Sequence, residues 1–298
     1  MKYKFFIFLI CLISPMRPIV FAASGDAGDA AAFLKTGQSV RALGMGKAFT
    51  AIADDASASY WNPAGLAQLD KKEFMFMYNK PFSLVSGIQN ENIALAWPFA
   101  LNYNYDKLQA AVGLNVIYSA VDGIKGYTEQ ALPTGEEFSS QDMAYLLSCG
   151  VNGLTPNTDL GLTVKMISQK IYTHSDSSFE ADVGYLYHLQ NLRFGLALQD
   201  IISNSIPVKL KTGAAYTIPD KFIFSMGLDL IKNRDLKKHI GAEYTIAKLI
   251  SLRGGWTTDT NEITAGLGFK KKFYEIDYAY ARHEVLENSH RVSLSIRF

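Results

Sequence analysis

From Glu73 to Phe298, apolar and polar residues alternate with a period of two, which limits the chain to strands with one apolar face. The pattern is clearest late. Val292, Leu294, Ile296 and Phe298 share one face, and Arg291, Ser293, Ser295 and Arg297 the other. Tyr274, Ile276, Tyr278 and Tyr280 oppose Glu275, Asp277, Ala279 and Ala281. Phe179, Ala181, Val183, Tyr185 and Tyr187 oppose Glu180, Asp182, Gly184, Leu186 and His188. About fourteen strands are expected, at 73–79, 89–99, 108–121, 142–152, 159–173, 178–189, 192–200, 208–217, 222–232, 237–247, 249–257, 262–271, 273–282 and 290–298. Turn signals separate them, among them Asp122-Gly123, Pro133-Thr134-Gly135, Pro219-Asp220 and Asn288-Ser289. Most links are short. Those at 122–141, 173–178 and 282–290 are read as long loops.

So many apolar faces need a destination. The opposite faces carry Lys165, Glu180, Asp182, Arg193, Lys211, Asp229, Glu243, Arg253, Glu275, Asp277 and Arg291. Two soluble sheets would have to bury a continuous Leu/Val/Ile/Phe/Tyr surface in nearly every strand. A membrane barrel leaves that surface in lipid and turns the polar face inward, and closure pairs the edges that hydrocarbon cannot satisfy. The strands are near the roughly 9–11 residues a spanning strand needs. Charged residues are 19% of the chain, against roughly 25% in soluble domains, and 16 Tyr suit an interfacial girdle. The fold class expected is therefore all-β: a transmembrane antiparallel β-barrel occupying 73–298. A soluble secreted β protein is the less favoured alternative. A net charge of +1 offers nothing for nucleic acid.

Residues 1–23 read as a secretory signal peptide, with Lys2 and Lys4, an apolar run from Phe5 to Ile13, and small residues near Ala22-Ala23. Cys11 falls within it, leaving Cys149 as the single mature thiol, read as a small hydrophobe. Residues 24–72 are different. Gly44, Gly46, Ala48, Ala51, Ala53, Ala56 and Ala58 permit close backbone approach, Asp54-Asp55 sit beside a turn-prone run, and Pro63 pushes Asn62 out of the α region. Too polar to span a membrane and too Gly-broken for a free helix, this segment reads as a compact hatch held inside the barrel.

Gly44-Met45-Gly46, Ala48-Phe49-Thr50-Ala51, Ala53-Asp54-Asp55-Ala56 and Tyr60-Trp61-Asn62-Pro63-Ala64-Gly65 resemble, in order, the hatch of the FadL-like outer-membrane barrels, and most of all their PorV/PorQ branch. Ala181-Asp182-Val183-Gly184, Gly241-Ala242-Glu243-Tyr244, Leu252-Arg253-Gly254-Gly255-Trp256 and Asp277-Tyr278-Ala279-Tyr280 continue the likeness. It implies an outer-membrane protein whose hatch residues Gly44, Gly46, Asp54, Asp55, Trp61, Asn62, Pro63 and Ala64 gate passage of a hydrophobic small molecule. FadL-like relatives carry such molecules. PorV-like relatives instead bind secreted cargo proteins in type IX secretion, which is the alternative reading. Phe298 resembles the terminal aromatic read by the barrel-assembly machinery.

No enzymatic chemistry is expected. The five histidines form neither HExxH nor a zinc spacing, so no metal site and no cofactor are expected. His174 and Asp176 are placed in a loop, His188 and His239 on lumen faces. His283 and Ser289 share one link and are read as solvated. Asp54-Asp55 is read as a cap or as ion-pair partners for Arg253, Arg291 or Arg297.

Overall fold

The computed structural model describes residues 31–80, 87–103, 106–127, 132–153, 155–202, 206–232, 234–259, 261–283 and 288–298. The expected signal peptide lies outside these. The strands are β1 (Glu73–Lys80), β2 (Ile88–Tyr103), β3 (Asp106–Tyr127), β4 (Pro133–Asn152), β5 (Thr158–Ile171), β6 (His174–Leu189), β7 (Leu192–Gln199), β8 (Lys209–Ile218), β9 (Phe222–Ile231), β10 (Lys237–Ile246), β11 (Ile250–Thr257), β12 (Glu262–Lys271), β13 (Tyr274–His283) and β14 (Ser289–Arg297). Every strand pairs antiparallel with its sequence neighbours, and β1 pairs with β14, so the sheet closes into a fourteen-stranded barrel. Lys72 and Phe298 seal the seam by exchanging backbone hydrogen bonds of 3.1 and 2.9 Å.

The alternation maps onto the wall as read. Outward positions are large and apolar, including Leu147, Phe179 and Ile263 at 64%, 65% and 65% exposure. A continuous apolar exterior of this extent fits hydrocarbon, not water. Cys149 belongs to this outer face. No helix among the described residues is long and apolar enough to cross a membrane.

Two of the three expected long loops are strand. β3 and β4 run through Asp122-Gly123 and Pro133-Thr134-Gly135, and β6 begins at His174, so His174 and Asp176 are strand residues. The turn signals were real but local. Register shifts between Val121 and Ile124 and between Lys125 and Tyr127 absorb the irregularity as bulges, with Gly123 at φ +72°. Strands β3 to β6 run to 14–22 residues against the 8–10 of β7 to β14, and their β3–β4 and β5–β6 ends form one tall wall.

Residues 31–72 lie against the inner side. They contain helices α1 (Val40–Gly44) and α2 (Ala58–Trp61) and 3₁₀ turns at Ala32–Thr36 and Pro63–Gln68. The segment touches β2 through β6 with Pro63–Gln68, and β11 through β14 with α1. Thr50 and Ala51 meet β7 and β8, and Met45 meets β10. At several of the closest approaches, the wall carries glycine. A Cβ on Gly161 or Gly184 of β5 and β6 would collide with Pro63, Ala64 or the Asn62 side chain. Phe49, Trp61, Leu66, Met45 and Ile52 are fully covered, giving the barrel an apolar core.

Candidate functional site

The site is the segment between Gly37 and Leu69 with the charges around it. Gly46 takes a positive φ of +61° and sits where any Cβ would meet the backbone of β10 and β11. Its N–H donates to Thr264 Oγ1 at 3.1 Å, and that hydroxyl donates to the Gly44 carbonyl at 3.1 Å. His239 Nδ1 lies 3.2 Å from the Gly46 carbonyl. Both expected glycines are thus held by β10 to β12.

Asn62 has φ −162°, the extended conformation expected ahead of Pro63, and caps the following 3₁₀ turn by accepting from Ala64 N–H at 3.2 Å. Its amide donates to the Thr50 carbonyl at 2.9 Å and to the Tyr185 carbonyl of β6 at 3.2 Å. One side chain therefore joins the two halves of the segment to the wall. Trp61, 2% exposed, donates from Nε1 to the Gln38 carbonyl at 2.5 Å and packs edge-on to Phe49 and Tyr60.

The adjacent aspartates do different work. Asp55 is a local brace: it accepts from Ser57 N–H at 2.9 Å, from the Ser57 hydroxyl, and from Ser39 Oγ at 3.4 Å. Burial pushes its carboxyl above the ordinary value, against the pull of Arg41. Asp54 pairs with Arg41 at 2.5 Å and Arg193 of β7 at 3.7 Å. Burial would raise its pKa, but Arg41 and Arg193 outweigh it and bring it to about 2.

Arg41 is the residue the sequence reading missed. Its guanidinium also grips Glu243 of β10 with two bonds, Nε to Oε2 at 2.8 Å and Nη2 to Oε1 at 2.9 Å. Glu243 in turn accepts from Arg253 Nε at 2.6 Å, and Arg253 reaches Asp277 and Glu275. Arg297 bridges Glu275 at 3.1 Å and Glu73 at 3.3 Å. The expected partners of Asp54-Asp55 are occupied elsewhere: Arg253 and Arg297 in this chain of ion pairs, Arg291 facing Glu262 at 3.9 Å. The network ties the segment to β7, β10, β11, β13, β14 and β1.

Two hollows flank the segment. At the short-turn end, one with about 350 Å³ of water-sized room is bounded by Arg41, Asp54, Arg193, Glu243 and Arg297. At the tall-wall end, a smaller hollow with about 50 Å³ of water-sized room has Tyr60 and Trp61 as its floor. Lys35, Lys47, Lys165, Lys209, Lys211 and Lys237 line it, with Asp200, Asp229 and Asp259 between them. Lys47 pairs with Asp259 at 2.7 Å, Lys209 with Asp200 at 3.0 Å and Lys211 with Asp229 at 3.6 Å. Burial raises the Asp259 carboxyl, but Lys47 outweighs it and the pKa falls to about 2. His239, on the inner face as read, lies 3.4 Å from Asp229. His188, also inward, lies 2.7 Å from Asp159. Among the described residues no cluster of His, Cys, Asp and Glu could hold a metal.

Comparison with known proteins places the fold. Two crystal structures of the Pseudomonas putida toluene transporter TodX superpose with TM-scores of 0.60 and 0.61. Identity is 12% and 14%, over 88% of this chain in both and 97% and 99% of TodX. The fold is that of the TodX barrel. A TodX deletion mutant described as a monoaromatic hydrocarbon channel gives a TM-score of 0.56 at 14% identity, over 81% of this chain and 94% of its own. At such identities the likeness is one of architecture. Residues 155–267 match the family model described as "F plasmid transfer operon, TraF, protein", a run from the turn before β5 into β12. No curated protein matches.

Proposed function

We propose that the protein is a bacterial outer-membrane transport barrel in which residues 31–72 form a hatch. By this reading Gly44, Gly46, Asp54, Asp55, Trp61, Asn62, Pro63 and Ala64 seat the hatch, and small molecules with an apolar body pass when it yields. The observation that carries the proposal is the pair of hollows at opposite ends of one segment, with Arg41 and Trp61 of that segment bounding one hollow each. By this reading the segment closes a path between the two hollows and makes a gate rather than an open pore. The TodX-like fold and the apolar outer belt support the membrane setting. Lipid is then the partner of the outer face, and the barrel-assembly machinery the route by which it arrives.

The test is conductance in planar bilayers. Intact protein should pass little current, and a variant with Asn62 and Pro63 replaced by alanine should open in large, frequent steps. Porin-like conductance of the intact protein would refute gating by this segment.

The PorV/PorQ resemblance supports a second reading, a shuttle for secreted cargo. The tall wall of β3 to β6 favours it, since a docking platform for protein needs surface above the membrane. Co-purification of an exported protein, lost on trimming the β3–β4 hairpin at 122–138, would support that reading over transport.

A further inference from the structure

We propose that the hollow above Tyr60 and Trp61 is a binding site for a compact aromatic anion, such as an aryl carboxylate or aryl phosphate. The inference rests on the transport reading and names its substrate class.

Six ammonium groups line this hollow against three carboxylates, and Asp182 behind the lining meets Lys165 at 2.8 Å, which leaves six positive charges against four negative. The lysines come from four parts of the chain, the N-terminal segment with Lys35 and Lys47 and the strands β5, β8 and β10. Lys47 belongs to the segment, Lys165 to β5, Lys209 and Lys211 to β8, and Lys237 to β10. Their convergence is a product of the fold. Asp259 answers both Lys47 at 2.7 Å and Lys237 at 3.8 Å, and Asp200 answers Lys209 while also accepting from Lys165. Shared carboxylates leave ammonium protons to spare, and each can meet an incoming oxyanion as a point charge.

The floor selects the body of the ligand. Lys211 Nζ lies 4.8 Å from the Trp61 ring centroid and 5.5 Å from that of Tyr60, so cation and aromatic faces already share one corner. The other apolar lining is Leu34, Leu146 and Ile231. Three aliphatic side chains beside two aromatic rings suit a compact ring better than an extended acyl chain. A neutral hydrocarbon would leave the surplus charge unanswered, and an inorganic anion would leave the ring floor unused. An aromatic anion satisfies both.

The experiment is calorimetric titration of the full-length protein in detergent with benzoate, phenyl phosphate, laurate and toluene. Benzoate and phenyl phosphate should bind, more weakly as salt rises. Lys47→Met and Lys209→Met should each weaken benzoate about tenfold, and Lys47→Arg should retain it. Heat-modifiable migration on gels confirms that each variant is folded. Benzoate binding unchanged in both methionine variants, toluene binding as tightly as benzoate, or laurate binding tighter than both overturns the proposal. Uptake into liposomes is a separate arm: benzoate that binds but does not cross upholds this site and refutes the transport reading.

Discussion

Arg41 of the N-terminal segment holds Glu243 of β10 in a two-bonded grip of 2.8 and 2.9 Å, across 202 residues of sequence. The same guanidinium reaches Asp54, so one side chain braces the segment internally and fastens it to the wall. Arg41 and Glu243 are both largely covered, and removing one partner strands the other charge. Arg41→Gln should loosen the seating of the segment by about 3–5 kcal/mol. Amide exchange at 41–60 should accelerate while strand amides stay protected. Unchanged exchange in the segment would show that apolar packing alone seats it.

Asn62 serves three backbone groups at once: the Thr50 and Tyr185 carbonyls and the Ala64 N–H. Asn62→Ala removes three bonds in a buried site, at about 1–3 kcal/mol for each group left without another partner. The barrel should still form, because no strand pairing depends on Asn62. Limited proteolysis should then cut between Thr50 and Leu69 while the barrel core survives. A variant as resistant as the parent protein would contradict this.

Acid should loosen the segment in a defined window. Asp54 and Asp259 both sit near a pKa of about 2, below the ordinary 3.8, because burial is outweighed by Arg41 and by Lys47 respectively. A carboxylate with a depressed folded pKa adds stability above its unfolded pKa and loses it as pH falls through the folded value. Asp55, raised by burial, acts in the opposite sense and does not extend the window. Protease protection of the segment should therefore hold from pH 8 to about 5 and decline between about 4 and 2. Loss of protection near pH 6 would point to another group.

Period two in the strands was enough to read the barrel, its closure and its inward charges, because burial follows side-chain parity. Strand height was not legible. Asp122-Gly123 and Pro133-Gly135 look like turns, and only cross-strand register reveals that bulges carry the ladder past them. The segment's small residues were legible as close packing, and the matching glycines Gly161, Gly184, Gly195 and Gly255 stood in the sequence as the other half of that signal. Ion-pair partners were not. Which arginine faces Asp54 depends on where α1 lands, and nothing local to Arg41 announces Glu243. The lysine-lined hollow was invisible for the same reason, its members being scattered from 35 to 237.

The wall glycines make the sharpest separation between segment and barrel. A Cβ at Gly184 of β6 would run into the Asn62 side-chain oxygen, 2.8 Å from Ala64 N and 2.9 Å from Pro63 Cδ. Ala64 N and Pro63 Cδ are backbone and ring atoms that cannot swing aside, and the Asn62 amide is held by its own bonds to Thr50 and Tyr185. Gly184→Val should be accepted by the barrel, since β-branched residues suit strands and the pairing with Gly161 and Ala197 uses backbone groups alone. The cost falls on the seating of the segment, at about 1–3 kcal/mol or more for overpacking. The expected result is a heat-modifiable barrel of normal mobility whose 50–69 region is open to protease and whose bilayer conductance is raised. If Gly184→Val abolishes the barrel itself, the segment is needed for the wall to form and cannot act as a hatch that yields.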